Sequence, residues 1–292
     1  GNNINVDIER GIKIYHFLGL IYYHENKENT EDGIIITKPQ WLTKFFGQIA
    51  CDEMKEKDSI IDKRGILPKK DLVQLIDKVL DKKLIQNPPT NLEEQLIEIL
   101  KKFDICFENR MKNELFFPSL MKEDRNIALN FRKDGLYEQT IYFKFDFLPI
   151  HLFGNLIVRI LSEHEKRIEL DCGWKDGVFI KSKRGKNWII IQVELSTQRI
   201  SVSSFSENSS EIEFNKKGNL LHEIIKTWIE LVDEKCSKTN PTLLIPCKEC
   251  ILESTYNRTY FSFDRKEVRE MFGMKLHEHP SHYRSTTVTE NP

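Results

Sequence analysis

The chain lacks any apolar run near the roughly 20 residues that a membrane-spanning helix needs, and its N-terminus has no signal-peptide pattern. It also lacks a charge surplus. Forty-four basic residues stand against 45 acidic ones, a net charge of −1, so there is no global pull toward nucleic acid or an anionic membrane. A disulfide framework is missing: six cysteines are scattered and only Cys247 and Cys250 lie close together, as expected of reduced thiols in a cytoplasmic protein. Motifs that carry chemistry are missing as well. There is no G-x-x-x-x-G-K-[ST] loop, no kinase catalytic-loop or metal-binding Asp motif, no G-x-S-x-G, no H-E-x-x-H and no zinc-deaminase spacing. These gaps turn the reading away from small-molecule chemistry and toward a protein that handles other domains.

What is present falls into two rhythms over 292 residues. The first, residues 1–133, reads as helical: apolar periodicity over 8–18, a helix opening at Pro39 with Trp41 and Leu42 in its first turn, another over 68–80, and one from Asn91 to about Phe103. Proline suits the first helical position, which needs no donated N–H. Asn91 with Glu94 three residues on is an N-cap with its capping partner. Two short strands, 104–108 and 114–117, close this part as a hairpin. Helices plus a terminal hairpin are the plan of a winged-helix-like domain, with Trp41 expected in its core against 72–80 and 96–100. A charged stretch, 122–135, separates it from residues 134–292. There the pattern is a strand over 137–147, a Pro-initiated helix over 149–161, strands over 173–181, 188–194 and 199–205, a long helix over 219–236, and strands at 242–246 and 261–263. The expected class is α+β: a winged-helix-like first domain, then an antiparallel sheet with helices on one face and a polar C-terminal tail.

The candidate sites are few. Cys247-x-x-Cys250 together with His279 and His282 could supply four ligands to a structural zinc. Two buried reduced thiols are the first reading, so no cofactor is expected. Tyr142, Phe143, Phe145 and Phe147 share one strand, and Phe153 follows in the next helix. That is more aromatic surface than one thin sheet hides, and an exposed patch of this kind marks an interaction site, here self-association across a two-fold axis. Trp174, in a Gly-Trp-Lys-Asp-Gly turn, is a further candidate contact. The basic run over 181–186 reads first as a solvated hairpin loop. A winged helix suggests nucleic-acid binding as the alternative function, but the candidate recognition helix carries Glu93, Glu94 and Glu98, which repel phosphates. Neither nucleic acid nor membrane insertion is expected.

Segments in order carry a resemblance. FLGLIYYH, IIITKPQWL, GILPKKDL, LIEILKKFDICFE and LFFPSLM, then FKFDFLPIHLFGNLIVRI, CGWKDGVFIKS and LLIPCKEC, resemble the COR domain of Roco-family proteins, first its COR-A and then its COR-B subdomain, over roughly 15–250. The resemblance implies a fragment of a larger signalling protein. It implies a partner, the Ras-like Roc GTPase domain of the same chain, contacted through the first subdomain, and a homodimer formed largely through the second. It implies no catalysis by the fragment, while the parent would be a GTPase, and a protein kinase in members of the group that includes the leucine-rich-repeat kinases.

Overall fold

The computed structural model describes residues 2–24, 34–50, 61–79, 92–122, 136–149, 151–183, 187–207, 219–235, 241–246, 259–264, 267, 270 and 287–289. The chain divides into two compact units, residues 1–62 with 66–116, and residues 63–65 with 117–292. The expected linker, apart from Lys122, lies outside the described residues up to 135.

The first unit opens with α1 (Asn2–Phe17) and a two-stranded antiparallel pair, β1 (Tyr22–His24) and β2 (Ile34–Ile36). Helix α1 ends where Gly19 adopts φ +70°. The Leu20 N–H bonds to the Tyr15 carbonyl at 3.0 Å and the Gly19 N–H to the His16 carbonyl at 3.0 Å, a left-handed C-terminal cap that a Cβ would oppose. Helix α2 (Gln40–Ala50) buries Leu42, Phe45 and Ile49, while Trp41 and Phe46 are half-buried. Helix α3 (Leu72–Val79) and α4 (Leu92–Lys102) follow. Glu93 and Glu94 in the first turn of α4 and Lys101 and Lys102 in its last complement the helix dipole. Its apolar stripe Leu96, Ile97, Ile99 and Leu100 is buried. The expected hairpin gains a third member: β3 (Ile66–Pro68) pairs with β5 (Glu114–Phe116), which pairs with β4 (Phe107–Asn109).

The second unit is an eight-stranded antiparallel sheet with two described helices. The strands are β6 (Tyr137–Lys144), β7 (Ile168–Trp174), β8 (Gly177–Ser182), β9 (Asn187–Glu194), β10 (Arg199–Ser206), β11 (Thr242–Pro246), β12 (Thr259–Phe263) and β13 (Thr287–Thr289), in the order β13-β12-β11-β6-β10-β9-β8-β7. The stretch expected as one strand over 173–181 is a hairpin instead, turning at Lys175 and Asp176. Register aligns Leu243 with Phe143, Phe143 with Ile200, and Ile200 with Val193, all buried. With side chains alternating across a strand, one face of the sheet is continuously apolar. Helices α5 (Leu152–Glu163) and α6 (Leu220–Lys235) pack on each other, and Trp228 of α6 lies 4.8 Å from Phe143 and 5.8 Å from Phe145, ring centre to ring centre. Mixed helix and antiparallel sheet make the chain α+β. Among the described residues no helix is long and apolar enough to cross a membrane.

Candidate partner-binding surfaces

In the second unit most of the expected aromatic patch is interior. Phe143, Phe145, Phe153 and Trp174 are all under 7% exposed, which corrects the expectation that they form a surface. The physical reason is α6, whose Trp228 covers the β6 rings. Trp174 is folded over its own hairpin: a Cβ on Gly177 would stand 2.3 Å from its Cζ2. Tyr142 is half-buried, with the Arg199 guanidinium 5.7 Å from its ring centre. Phe147 alone of the group stands out, at 67% exposed. Its loop is held by Gln198, whose carbonyl accepts from the Phe145 N–H at 2.9 Å and whose Oε1 accepts from the Leu148 N–H at 2.6 Å. Both flanking residues are buried, so the loop projects Phe147 from a fixed base. Nothing in the sequence pattern singled out Gln198; its φ of +53° and its role arise only once β6 and β10 are paired.

In the first unit, rings form a ladder. His16 meets Tyr22 edge-on at 5.5 Å, Tyr22 lies 5.8 Å from Phe103, Phe103 5.1 Å from Phe46, Phe46 6.0 Å from Phe45, and Phe45 stacks on Trp41 at 5.4 Å. Lys102 sits 5.7 Å over the Tyr22 ring. Burial raises the Tyr22 phenol pKa, and burial followed by the Lys102 charge lowers that of His24. The half-buried Glu108 carboxylate gathers Lys69 at 2.9 Å, Lys101 at 3.3 Å and Arg110 at 3.5 Å. Burial alone would raise its pKa, but Lys69 and Lys101, through their hydrogen bonds and charges, hold it below the ordinary carboxylate value. This network ties the β3 exit, α4 and β4 together. Helix α1, by contrast, leaves Ile8, Ile14, Tyr15, Phe17 and Leu18 exposed. The sequence showed the periodicity of α1 but not that these apolar residues would remain exposed.

Two polar clusters deserve a chemical reading. His164 Nε2 lies 3.1 Å from Thr227 Oγ1, which donates to Glu163 Oε2 at 2.6 Å. Burial lowers the His164 pKa, with Arg167 adding to it and Glu163 and Glu223 opposing it. Thr227 is itself buried, so the cluster fastens α5 to α6 rather than meeting a substrate. Lys181 pairs with Asp171, and Lys183 Nζ donates to the Glu165 carbonyl at 2.8 Å; residues 184–186 of the basic run lie outside the described residues. Cys106 is buried, and burial pushes its thiol pKa far upward, which suppresses the thiolate. Cys247, Cys250, His279 and His282, the candidate zinc ligands, lie outside the described residues. Among the described residues no group of three His, Cys, Asp or Glu could hold a metal ion.

Comparison with known proteins is consistent with these two units. The family described as C-terminal of Roc, COR-A domain, matches residues 3–121, and that described as C-terminal of Roc, COR-B domain, matches residues 137–286. The chain is similar to the probable serine/threonine-protein kinase pats1 of Dictyostelium discoideum, 27% identical over 273 residues, covering 88% of the chain and 8% of that protein. It is also similar to the probable serine/threonine-protein kinase roco6 of the same organism, 27% identical over 174 residues, or 55% of the chain and 8% of that protein. A third relative there, the probable serine/threonine-protein kinase roco11, is 22% identical over 189 residues, or 60% of the chain and 12% of that protein. The chain thus spans only 8% to 12% of the length of these relatives.

Proposed function

The chain belongs to the C-terminal-of-Roc family, carrying its COR-A and COR-B domains in tandem, and from that membership we propose that it is a non-catalytic regulatory and dimerisation module coupled to the Roc GTPase domain of its own parent protein. The parent on this reading is a Roco-family GTPase and, like the relatives named above, a protein kinase, acting in the cytoplasm. The observation that carries the dimerisation part is Phe147, an aromatic side chain 67% exposed on a loop whose flanking residues are buried. Rigid aromatics lose little conformational entropy on docking and are enriched at binding hot spots.

Sedimentation of the full chain at micromolar concentration tests this. A dimer is expected, and Phe147→Asp is expected to shift it to monomer without changing its melting. If the wild-type chain stays monomeric both alone and with its Roc domain, the dimerisation part fails. If Phe147→Asp leaves the dimer intact and weakens Roc binding, the loop is a GTPase contact.

A second reading takes the first unit, with α2, α3, α4 and the three-stranded β3-β5-β4 sheet, as a winged helix that binds nucleic acid. Exposed Glu93, Glu94 and Glu98 on α4 count against nucleic acid. Salt-dependent binding of a DNA duplex at two ionic strengths would revive it.

A further inference from the structure

Tyr22 and His24 alternate with Tyr23 on β1, so their side chains leave the strand on one face. Tyr22 is 8% exposed, and its hydroxyl has no hydrogen-bond partner; the Nδ1 of half-buried His24 has none either. Lys102, the last residue of α4, is exposed, and its Nζ lies 5.7 Å from the centre of the Tyr22 ring. Its charge also reaches His24. Among the described residues no carboxylate pairs with Lys102: Glu98, one turn back on α4, is engaged by Lys101 at 2.6 Å. The base of this cluster is fixed. Strand β2 holds β1 in register, with Ile36 opposite Tyr22 and Ile34 opposite His24. The Tyr23 N–H donates to His16 Nδ1 at 3.2 Å, and the His16 ring edges onto Tyr22 at 5.5 Å. A buried polar atom without a partner is costly, and native proteins leave few of them. Two on one strand face, beside an ammonium with no counter-ion, ask for an anionic acceptor.

We propose that Tyr22, His24 and Lys102 form a binding site for a phosphoryl group, that of inorganic phosphate or of a small phosphate monoester. The three donors select the ligand. The phenol offers one O–H, the imidazole one N–H at Nδ1, and the ammonium up to three N–H. A terminal phosphoryl group presents three strong acceptor oxygens, spread tetrahedrally, and a negative charge to match Lys102. A carboxylate is planar with two oxygens and meets the three donors less well. A metal cation is repelled by Lys102. Glu98 opposes the anion, since its charge reaches His24 as well, and its bond to Lys101 offsets that opposition. Entry follows from Lys102. Its side chain is exposed, and a cation–π contact at an exposed ring is weaker than a charge-assisted hydrogen bond to an oxyanion. The ammonium therefore leaves the ring for the phosphoryl oxygens, and the hydroxyl beneath becomes reachable. The site needs neither the Roc domain nor a second copy of the chain, so it stands apart from the function proposed above.

The test titrates inorganic phosphate into the full chain near neutral pH at constant ionic strength, with histidine resonances followed by NMR and melting by calorimetry. The His24 imidazole should shift saturably, and melting should rise with phosphate because the ligand binds only the folded chain. Tyr22→Phe and Lys102→Met should each weaken binding about tenfold or more, as expected for losing one charge-assisted hydrogen bond. Without phosphate, Tyr22→Phe should melt no lower than wild type, because the hydroxyl it removes has no partner. A lower melting point there means that the hydroxyl is already bonded, and overturns the proposal. Lys112→Met, at an exposed lysine of the β4–β5 turn, is the control and should bind like wild type. Glycerol phosphate separates the two sources: tighter binding than inorganic phosphate assigns the site to a monoester, weaker binding to the free ion, and either result sustains it. Acetate should leave His24 unmoved; acetate binding as tightly as phosphate overturns the phosphoryl assignment. If phosphate shifts no histidine, or binds all variants alike, it is an adventitious ion only and the proposal falls.

Discussion

Helix α1 of the first unit and strand β6 of the second carry the same kind of signal, aromatic and aliphatic side chains at regular spacing, and meet opposite fates. On β6, Phe143 and Phe145 lie under Trp228 of α6 and are almost fully buried. On α1, Ile8 and Tyr15 are more than half exposed. Periodicity therefore reports that a face is apolar, not what covers it. Where the cover belongs to the same unit the face becomes core and contributes stability; where it does not, the face is free to contribute binding.

The contrast is broken or sharpened most strongly by truncating the cover. Trp228→Ala should destabilise the second unit by about 3–5 kcal/mol, the usual range for a buried large aromatic. Trp41→Ala, at a half-buried ring stacked on Phe45, should cost only about 1–2 kcal/mol, because less apolar area leaves water. Denaturant titration of both variants measures this, and equal losses would erase the distinction drawn here.

A smaller effect is expected at the β7–β8 turn. Gly177→Ala places a methyl 2.3 Å from Trp174 Cζ2, so the indole must shift, at about 1–3 kcal/mol as for other overpacking changes. Introduced beside Trp174→Val, the same alanine should cost much less. An undiminished loss in the double variant would show that the turn backbone, not the indole, requires glycine.

The smallest effect is on pH dependence. Burial holds the His164 pKa below its unfolded value of about 6.5, so on acidification the unfolded chain takes up its proton first. Stability should fall as pH drops below about 6.5 and level off once the pH is below the folded value. His164→Gln can still hydrogen bond to Thr227 and should flatten that slope for the second unit. His24 shifts in the same direction, so the share of the first unit should persist. Glu108 acts at lower pH. Its depressed pKa gives stability present above about 4.5 that is lost as pH falls through the folded value. Chemical denaturation from neutral pH down to about pH 2, followed separately in the two units by hydrogen exchange, reads all three.

Much of the fold was legible before the structure. Helices α2, α4 and α6 follow from their apolar stripes. What escaped was short or tightly turned. Strand β3 is three residues ending in Pro68, too brief for alternation to register. Residues 173–181 read as one strand although the Lys175-Asp176-Gly177 turn was recognised, because Asp-Gly there is a two-stranded hairpin signal that the apolar run beyond it masked. The surfaces were half legible: Phe147 was named among the aromatic candidates, but its exposure and the interior place of its neighbours were not.

The sequence by itself determined the family, the α+β class and which stretches become helix or strand, because caps, turns and periodicity act between residues a few positions apart. Only the tertiary structure decided which apolar faces are core and which are open. Burial depends on elements remote in sequence, as when α6 arrives over β6 and makes Phe143 interior. Gln198, far along the chain from Leu148, holds the loop that leaves Phe147 exposed, while Ile8, Ile14 and Tyr15 of α1 stay more than half exposed.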